Sequence, residues 1–297
     1  MTRHLLEIDD LTGDELAEVL ALGRGEADPK VMAGQGAALL FEKPSARTRH
    51  STEMAVVQLG GHPIYVRPGE IGIDERETAE DVARTLSQFH AAVCARVYDH
   101  SVIERMAGAA SVPVVNLLSD ASHPLQAIAD LLTLDATVGV AGRTVAWLGD
   151  YSNVARSLAL ALALAGGALV VAAPDGYGPT ADDVARVERL GGSLTGTDDP
   201  QAAADGADAI STDAWYAMGQ EAEAGERRRV FAPYRVDATV MERAAEGAVF
   251  LHCLPAHRGE EVTDDVLDGP ASKVWDQAAN RLPAARAAIA WLLGVRP

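Results

Sequence analysis

The chain has 297 residues, of which 48% are hydrophobic and 23% charged, and this suits a folded protein of two domains at about 150 residues each. Its two cysteines, the lack of a long apolar run and the acidic amino terminus predict a cytoplasmic protein without disulfides, signal peptide or membrane anchor. The net charge of −18 disfavours nucleic acids and anionic membranes as partners, so an anionic substrate requires a local cluster of arginines and backbone N–H groups.

Short apolar runs alternate with longer amphipathic segments along the chain. The runs predict strands at residues 37–41, 63–66, 91–97, 113–118, 144–148, 169–173, 207–211 and 249–254. Helices are predicted over residues 153–165 and, in an alanine-rich tail, over 283–293. This alternation predicts the α/β class, with parallel sheets covered by helices on both faces.

A glycine-rich interruption near residues 137–143 predicts the domain boundary. We expect a first domain over residues 1–136 and a second over 137–279. The tail over 280–297 is expected to pack back on the first domain.

The first polar motif, Lys-Pro-Ser-Ala-Arg-Thr at residues 43–48, follows the first predicted strand. Pro44 ends the strand, and Ser45 is a good N-cap for a helix that begins at Ala46. A helix start offers free N–H groups to an anion, and Arg47 in its first turn adds a guanidinium fork that matches phosphate. Taken alone, the pattern is also typical of an ordinary capped helix.

Four further motifs carry candidate residues, each with an ordinary structural alternative. His123 and Gln126 share a helix face and can both donate to a carbonyl oxygen, although such a histidine is commonly a cap. Asn153 and Asp213 follow predicted strands, where open α/β sheets bind ligands, although both residue types also occur as caps and turns. Cys253 ends a predicted strand. Its spacing from the nearby histidines is only weak evidence for a zinc site, and a buried structural cysteine is the alternative.

In this order, the motifs resemble those of the ornithine carbamoyltransferases, within the aspartate/ornithine transcarbamoylase family. The resemblance extends from about Phe41 to Arg281. The marks are Phe-Glu-Lys-Pro-Ser-Ala-Arg-Thr-Arg at 41–49, Gln-Leu-Gly-Gly-His at 58–62, His-Pro-Leu-Gln at 123–126, Asp-Ala-Trp-Tyr-Ala-Met-Gly at 213–219, His-Cys-Leu-Pro at 252–255 and Ala-Asn-Arg at 279–281.

The resemblance implies an enzyme that makes citrulline and phosphate from carbamoyl phosphate and ornithine, in arginine biosynthesis, without a metal or an organic cofactor. It also implies two doubly wound domains joined by interdomain helices. The expected assembly is a homotrimer with active sites at subunit interfaces.

The resemblance also implies roles for individual residues. The phosphate would be bound by Ser45, Ala46, Arg47, Thr48 and Arg96. The carbamoyl group of carbamoyl phosphate would be held by His123, Gln126 and Arg281, with Cys253 and Leu254 lining the region of the carbamoyl group and the δ-amine. Ornithine would be bound by Asn153, Asp213, Ala217 and Met218. The catalytic set would be Arg96, His123, Gln126, Cys253 and Arg281.

Three positions depart from the family pattern. Ala46 stands where the family usually has threonine, and Ala217 stands where the ornithine enzymes usually have serine. Gly72 aligns with a glutamine or histidine that reaches carbamoyl phosphate from a neighbouring subunit, and Arg76 is a possible substitute. These changes leave the amine acceptor open.

Four functions therefore remain. Ornithine is the first acceptor and a shorter diamino acid the second. Aspartate is third, because the mobile loop near residues 70–80 has no lysine and Asp213 suits an ammonium group better than a carboxylate. The last is a non-catalytic ligand-binding homologue. The retained candidate residues argue against it: Arg47, Arg96, His123, Gln126, Cys253 and Arg281.

Overall fold

A computed structural model describes residues 2–25, 30–67, 69–216 and 221–297. The chain divides into two compact units: unit 1 comprises Met1–Ala129 and Asn280–Pro297, and unit 2 comprises Asp130–Ala279. Each unit contains one parallel sheet, which confirms the predicted fold class. The boundary predicted between residues 136 and 137 stays a prediction.

Unit 1 contains a four-stranded sheet in the order β2-β1-β3-β4. Its strands are β1 (Gly36–Phe41), β2 (His62–Val66), β3 (Ala92–Arg96) and β4 (Val114–Leu118). The helices before and between them are α1 (Gly13–Arg24), α2 (Ala46–Gln58), α3 (Ala79–Leu86) and α4 (His100–Ala109), after a 3-10 helix at Ile8–Asp10. Helix α5 (Pro124–Asp135) follows β4, and the chain passes from unit 1 to unit 2 within it.

The central strands of unit 1 are apolar because both faces of the sheet are covered. Leu39 in β1 pairs with Cys94 in β3, and both side chains are fully buried. β1 leads through α2 to β2 on one side, whereas the chain then returns to β3 on the other side. The carboxyl ends of β1 and β3 therefore form the switch point where such sheets bind ligands.

Unit 2 contains a five-stranded parallel sheet in the order β7-β6-β5-β8-β9. Its strands are β5 (Thr144–Leu148), β6 (Ala168–Ala172), β7 (Ser193–Thr197), β8 (Ala209–Thr212) and β9 (Val249–His252). Its helices are α6 (Asn153–Leu164), α7 (Ala181–Arg189), α8 (Pro200–Ala204), α9 (Ala224–Phe231), α10 (Ala238–Met241) and α11 (Asp264–Leu267), with 3-10 helices at Glu221–Glu223 and Ala232–Tyr234. Here the switch point lies between the carboxyl ends of β5 and β8.

Two elements differ from the sequence prediction. Strand β7 was not predicted, because its residues are mostly exposed and polar. The last helix, α12, spans Val274–Leu292 and holds Pro283 in its interior, whereas the prediction began the helix at that proline. The chain re-enters unit 1 within α12 at Asn280.

The carboxyl-terminal part of α12 is fixed within unit 1 by polar contacts. The Trp291 indole N–H donates to the Glu18 carboxylate at 2.7 Å, and Arg286 donates to Gln58 at 3.1 Å. Within the described ranges, no helix has the length and apolarity to cross a membrane.

Candidate active site

The turn between β1 and α2 builds the amino-terminal end of α2 as the sequence predicts. Ser45 is the N-cap: its Oγ accepts from the Thr48 N–H at 3.4 Å and donates to Thr48 Oγ1 at 3.1 Å. The first turn holds no acidic residue, and Ala46 and Arg47 are exposed. Among the described residues, the Arg47 guanidinium has no hydrogen-bond or ion-pair partner. A cation at the positive end of a helix, without a counter-charge, favours a bound anion there.

The Thr48 hydroxyl gathers two arginines that are far apart in sequence. Thr48 Oγ1 accepts from Arg96 Nη1 at 3.4 Å and from Arg281 Nη2 at 2.9 Å. Arg281 Nη1 also donates to Gln126 Oε1. All four side chains are buried. Arg96 ends β3, and Gln126 and Arg281 come from α5 and α12, so three elements meet beside the start of α2.

This cluster creates a positive field in an otherwise acidic protein. Burial lowers the pKa of His123 well below its ordinary value of 6.5, and the charges of Arg281, Arg96 and Lys43 lower it further. Burial and the neighbouring Arg96 also lower the pKa of the Lys43 ammonium. His123 is therefore a neutral donor or acceptor at pH 7, and excess positive charge of this kind is stabilised by an anionic ligand. Lys43 had no role in the sequence prediction.

The loop before α3 contains Gly72 and Arg76. Gly72 has φ +69°, and its carbonyl accepts from the Arg76 N–H at 2.8 Å. A Cβ on Gly72 would lie 3.2 Å from Cδ of Arg76, so the two residues pack together. The Arg76 side chain is exposed, and its Nη1 donates to the Glu70 carbonyl at 3.4 Å.

In unit 2, Asp213 follows β8 at the switch point. Its Oδ1 accepts from the Ala214 N–H at 2.8 Å and from the Cys253 thiol at 3.1 Å. Burial raises the pKa of the Asp213 carboxyl, against the opposing effects of His252 and of these two hydrogen bonds. Asn153 lies at the start of α6, after the neighbouring strand β5.

The turn after β9 holds Leu254 in an uncommon conformation. Its φ of +63° is costly for a residue with a side chain. The Leu254 N–H donates to His252 Nδ1 at 2.9 Å, so His252 Nε2 carries the proton and lies 3.1 Å from the Glu261 carboxylate. His252 and Glu261 are both buried. This pair stabilises the turn that presents Cys253 and Leu254. Glu261 had no role in the sequence prediction.

Among the residues that the structure describes, two side-chain sets have a geometry that could suit a metal ion: Asp213, His252 and Cys253, and His257, Glu260 and Glu261. In the first set, both ring nitrogens of His252 already have partners. In the second set, Glu260 is paired with the Arg228 guanidinium at 2.9 Å. Neither set is therefore a good metal site.

The predicted site residues thus separate into two groups. Unit 1 contains Ser45, Ala46, Arg47, Thr48, Arg96, His123, Gln126 and Arg281, and unit 2 contains Asn153, Asp213, Cys253 and Leu254. Ala217 and Met218 lie outside the described residues.

Family models match both halves of the chain. The aspartate/ornithine carbamoyltransferase carbamoyl-P binding domain matches residues 3–136, and the Asp/Orn binding domain of the same family matches residues 141–292. The chain belongs to the aspartate/ornithine carbamoyltransferase family. The match confirms the predicted enzyme class, a carbamoyltransferase.

Curated relatives and solved structures of this family align with almost the whole chain. The ornithine carbamoyltransferase of Mycolicibacterium paratuberculosis is 46% identical, covering 98% of each chain. The anabolic ornithine carbamoyltransferase of Pyrococcus furiosus is 44% identical, covering 98% of this chain and 96% of the relative. The solved structure of ornithine carbamoyltransferase from Pyrococcus furiosus has a TM-score of 0.93 and 42% identity, covering 99% of this chain and 98% of that one.

Arg281 of this carbamoyltransferase is assigned differently by the family match and by the compact units of the structure. It lies in the range that matches the Asp/Orn binding domain. In the structure it belongs to unit 1, where it donates to Thr48 and Gln126. A residue from the end of the chain therefore joins the cluster beside α2.

Proposed function

We propose that this carbamoyltransferase transfers the carbamoyl group of carbamoyl phosphate to the δ-amine of L-ornithine and releases L-citrulline and phosphate, as a step of arginine biosynthesis. The observation that carries the proposal is the pair of buried arginines, Arg96 and Arg281, on Thr48 beside the acid-free start of α2. Carbamoyl phosphate is a small dianion, and cationic hydrogen-bond donors such as these suit its charge.

The leaving phosphate is held by the start of α2 in this proposal. The free N–H groups after Ser45 and the exposed guanidinium of Arg47 donate to phosphate oxygens. Positive charge there stabilises the phosphate as the bond from carbon to its bridging oxygen breaks. Thr48 and Arg96 complete the cradle.

The carbonyl oxygen gains negative charge when the amine attacks, and it needs donors that are already in place. Arg281 supplies N–H groups held by Thr48 and Gln126. His123 is neutral at pH 7, so it adds a hydrogen bond without adding a further buried charge. In this proposal these groups stabilise the tetrahedral intermediate, and no covalent bond to the enzyme forms.

The acceptor is bound by unit 2 in this proposal. The Asp213 carboxylate pairs with the α-ammonium of ornithine, and Asn153 at the start of α6 donates to its carboxylate. The δ-ammonium first loses one proton to solvent, and its nitrogen forms a bond to the carbonyl carbon. The bond from that carbon to the phosphate oxygen then breaks, and the nitrogen gives its second proton to the departing phosphate. Binding both substrates on one enzyme removes most of the entropic cost of their encounter.

We propose a homotrimer in the cytoplasm, with active sites at subunit interfaces. The resemblance of the sequence to trimeric transcarbamoylases supports this assembly, and the exposed Arg76 side chain is available to a neighbouring site. Neither Cys94 nor Cys253 forms a disulfide in the structure, which suits a reducing compartment.

Steady-state turnover with three amines tests the acceptor. Ornithine, 2,4-diaminobutyrate and 2,3-diaminopropionate are compared at saturating carbamoyl phosphate. We expect the highest kcat/KM with ornithine. A higher kcat/KM with a shorter diamine would mean that this diamine, and not ornithine, is the substrate. No turnover with any amine would favour the non-catalytic homologue.

Ala217 provides a specific test of the amino-acid pocket, because the family usually has a serine hydroxyl at this position. One neutral hydrogen bond contributes about 0.5–1.5 kcal/mol, or a factor of roughly 2 to 13 in affinity. We expect Ala217→Ser to lower the KM for ornithine several-fold and to leave kcat nearly unchanged. A higher KM in this variant would mean that the alanine is part of the specificity for another amine.

A further inference from the structure

Helix α9 carries three consecutive arginines with very different surroundings. Arg227 is 8% exposed, whereas Arg228 and Arg229 are exposed. The aromatic ring of Phe231 anchors the helix in the core of unit 2, 4.8 Å from Tyr177 between ring centroids. None of the three arginines belongs to the motifs that define the proposed site.

Arg227 bonds to three separate acceptors. Its Nη1 donates to Asp150 Oδ2 at 2.8 Å and to the Trp215 carbonyl at 2.9 Å, and its Nε donates to the Glu223 carboxylate at 3.0 Å. Its guanidinium also lies 5.3 Å from the centre of the Tyr177 ring. A buried arginine with this many directional contacts loses several of them in any other rotamer, so it holds its partners at fixed separations.

Two of the three acceptors, Asp150 and the Trp215 carbonyl, lie on the two loops that carry the proposed amino-acid ligands. Asp150 is in the loop from β5 to α6, three residues before Asn153, and the indole N–H of Trp147 donates to the Asp150 carbonyl at 2.9 Å. Trp215 lies two residues after Asp213, in the segment that leaves β8. One guanidinium therefore links the two sides of the switch point in unit 2.

We infer that Arg227 is a positioning residue for the amino-acid acceptor, which sets the separation of Asn153 and Asp213 by bonding to Asp150 and the Trp215 carbonyl. The inference rests on the proposed function, because these two residues are the proposed ligands of the α-carboxylate and α-ammonium groups. A displacement of about 1 Å at such a site can reduce the rate roughly 100-fold.

Arg228 provides a weaker link of the same kind. It donates to the Tyr216 hydroxyl at 2.7 Å and pairs with Glu260 at 2.9 Å, in the loop that follows Leu254. Its side chain is about half exposed, so solvent competes for these contacts. Among the described residues, Arg229 has no hydrogen-bond or ion-pair partner, and this makes it a matched control on the same helix.

The test compares Arg227→Gln, Arg228→Gln and Arg229→Gln in the full-length enzyme, by citrulline formation at varied ornithine and carbamoyl phosphate. We expect Arg227→Gln to raise the KM for ornithine roughly 10-fold or more and to change the KM for carbamoyl phosphate much less. Arg228→Gln should have a smaller effect, and Arg229→Gln none. The wild-type assay alone tests the proposed function; a wild type without turnover of any amine contradicts both.

If the role of Arg227 were purely structural, Arg227→Gln would lower the yield of active enzyme or the melting temperature. It would not change the KM for ornithine more than the KM for carbamoyl phosphate. Arg227→Lys should recover part of the ornithine KM, because an ammonium can contact one of the acceptors but not all three. The double variant Asp150→Asn with Arg227→Gln should raise the KM for ornithine by less than the product of the two single effects. This is expected because each single variant already breaks the same contact between Arg227 and Asp150. Equal changes in both KM values, or independent effects of the two variants, would overturn the inference.

Discussion

Arg47 is the exposed cation of the proposed phosphate cradle, and its removal should affect binding rather than stability. It has no partner within the described structure, so Arg47→Ala should leave the melting temperature unchanged. Loss of a hydrogen bond to a charged group costs about 1.5–3 kcal/mol, or roughly 10- to 150-fold in kcat/KM for carbamoyl phosphate. Arg84→Ala is the control, because Arg84 is an exposed arginine of unit 1 paired with Asp81 at 2.8 Å. Normal kinetics in Arg47→Ala would contradict the cradle.

His123 should remain neutral below the pH at which an ordinary histidine gains a proton. Its pKa is lowered by burial first and by Arg281 next, so Arg281→Gln should raise that pKa. The unfolded chain gains this proton near pH 6.5, whereas the folded protein gains it only at lower pH. The contribution of His123 to the free energy of unfolding therefore falls as the pH drops below about 6.5.

NMR of ¹⁵N-labelled histidine measures this protonation directly, and His123→Asn identifies the signal. We expect a neutral ring in the free enzyme at pH 6.5 and a higher pKa in Arg281→Gln. An imidazolium at pH 6.5 in the wild type would mean that the pocket lacks the positive field described above.

Single residues differ in how far the sequence could predict them. Arg47 and His123 belong to local patterns in which the residue type and the helix start already indicate a ligand. Arg227 belongs to a run of charged residues that is typical of a solvated helix face. Its burial depends on where Phe231 anchors α9, and this is a property of the folded unit.

Among the structural elements, the strands of the two sheet centres were predicted within a few residues, because covered parallel strands are continuous apolar runs. Strand β7, Ser-Leu-Thr-Gly-Thr, lies at the edge of its sheet and buries only Leu194. Edge strands need little apolar surface, so hydrophobicity alone did not indicate it. Helix α12 was predicted too short because Pro283 commonly marks a helix start, whereas here the helix continues through it.

The turn after β9 depends on the buried pair of His252 and Glu261. Glu261→Ala removes the carboxylate oxygen Oε1, which accepts both from His252 Nε2 and from the His257 N–H. An unsatisfied buried polar group costs about 1–3 kcal/mol, so we expect a lower melting temperature. We also expect the turn to lose its fixed conformation in this variant. Cys253 would then be more exposed and react faster with a thiol reagent.

Cys94 and Glu246 provide the controls for this experiment. Burial raises the pKa of the Cys94 thiol to about 12, so it should stay unreactive in the folded protein. Glu246→Ala, at an exposed site, should leave both the melting temperature and the labelling rate of Cys253 unchanged. Unchanged labelling of Cys253 in Glu261→Ala would show that the pair does not hold the turn.

For the whole molecule, net charge and local charge have opposite signs. The chain carries −18 overall, yet the cluster around Thr48 contains Arg96 and Arg281, with the pKa of His123 and Lys43 lowered beside them. The sequence predicted that an anionic substrate needs such a cluster, and the motifs supplied its members. The convergence of the two arginines on one hydroxyl required the fold, because their positions in sequence are far apart.

The central claim is that the carbamoyl group, rather than the phosphoryl group, reaches the amine. Carbamoyl phosphate labelled with ¹³C at the carbonyl carbon is incubated with ornithine and the enzyme, and the products are followed by ¹³C NMR and a phosphate assay. We predict one ureido-labelled citrulline for each phosphate released. Phosphate release with the label in carbonate, or a phosphorylated amine with the label in carbamate, would contradict the account.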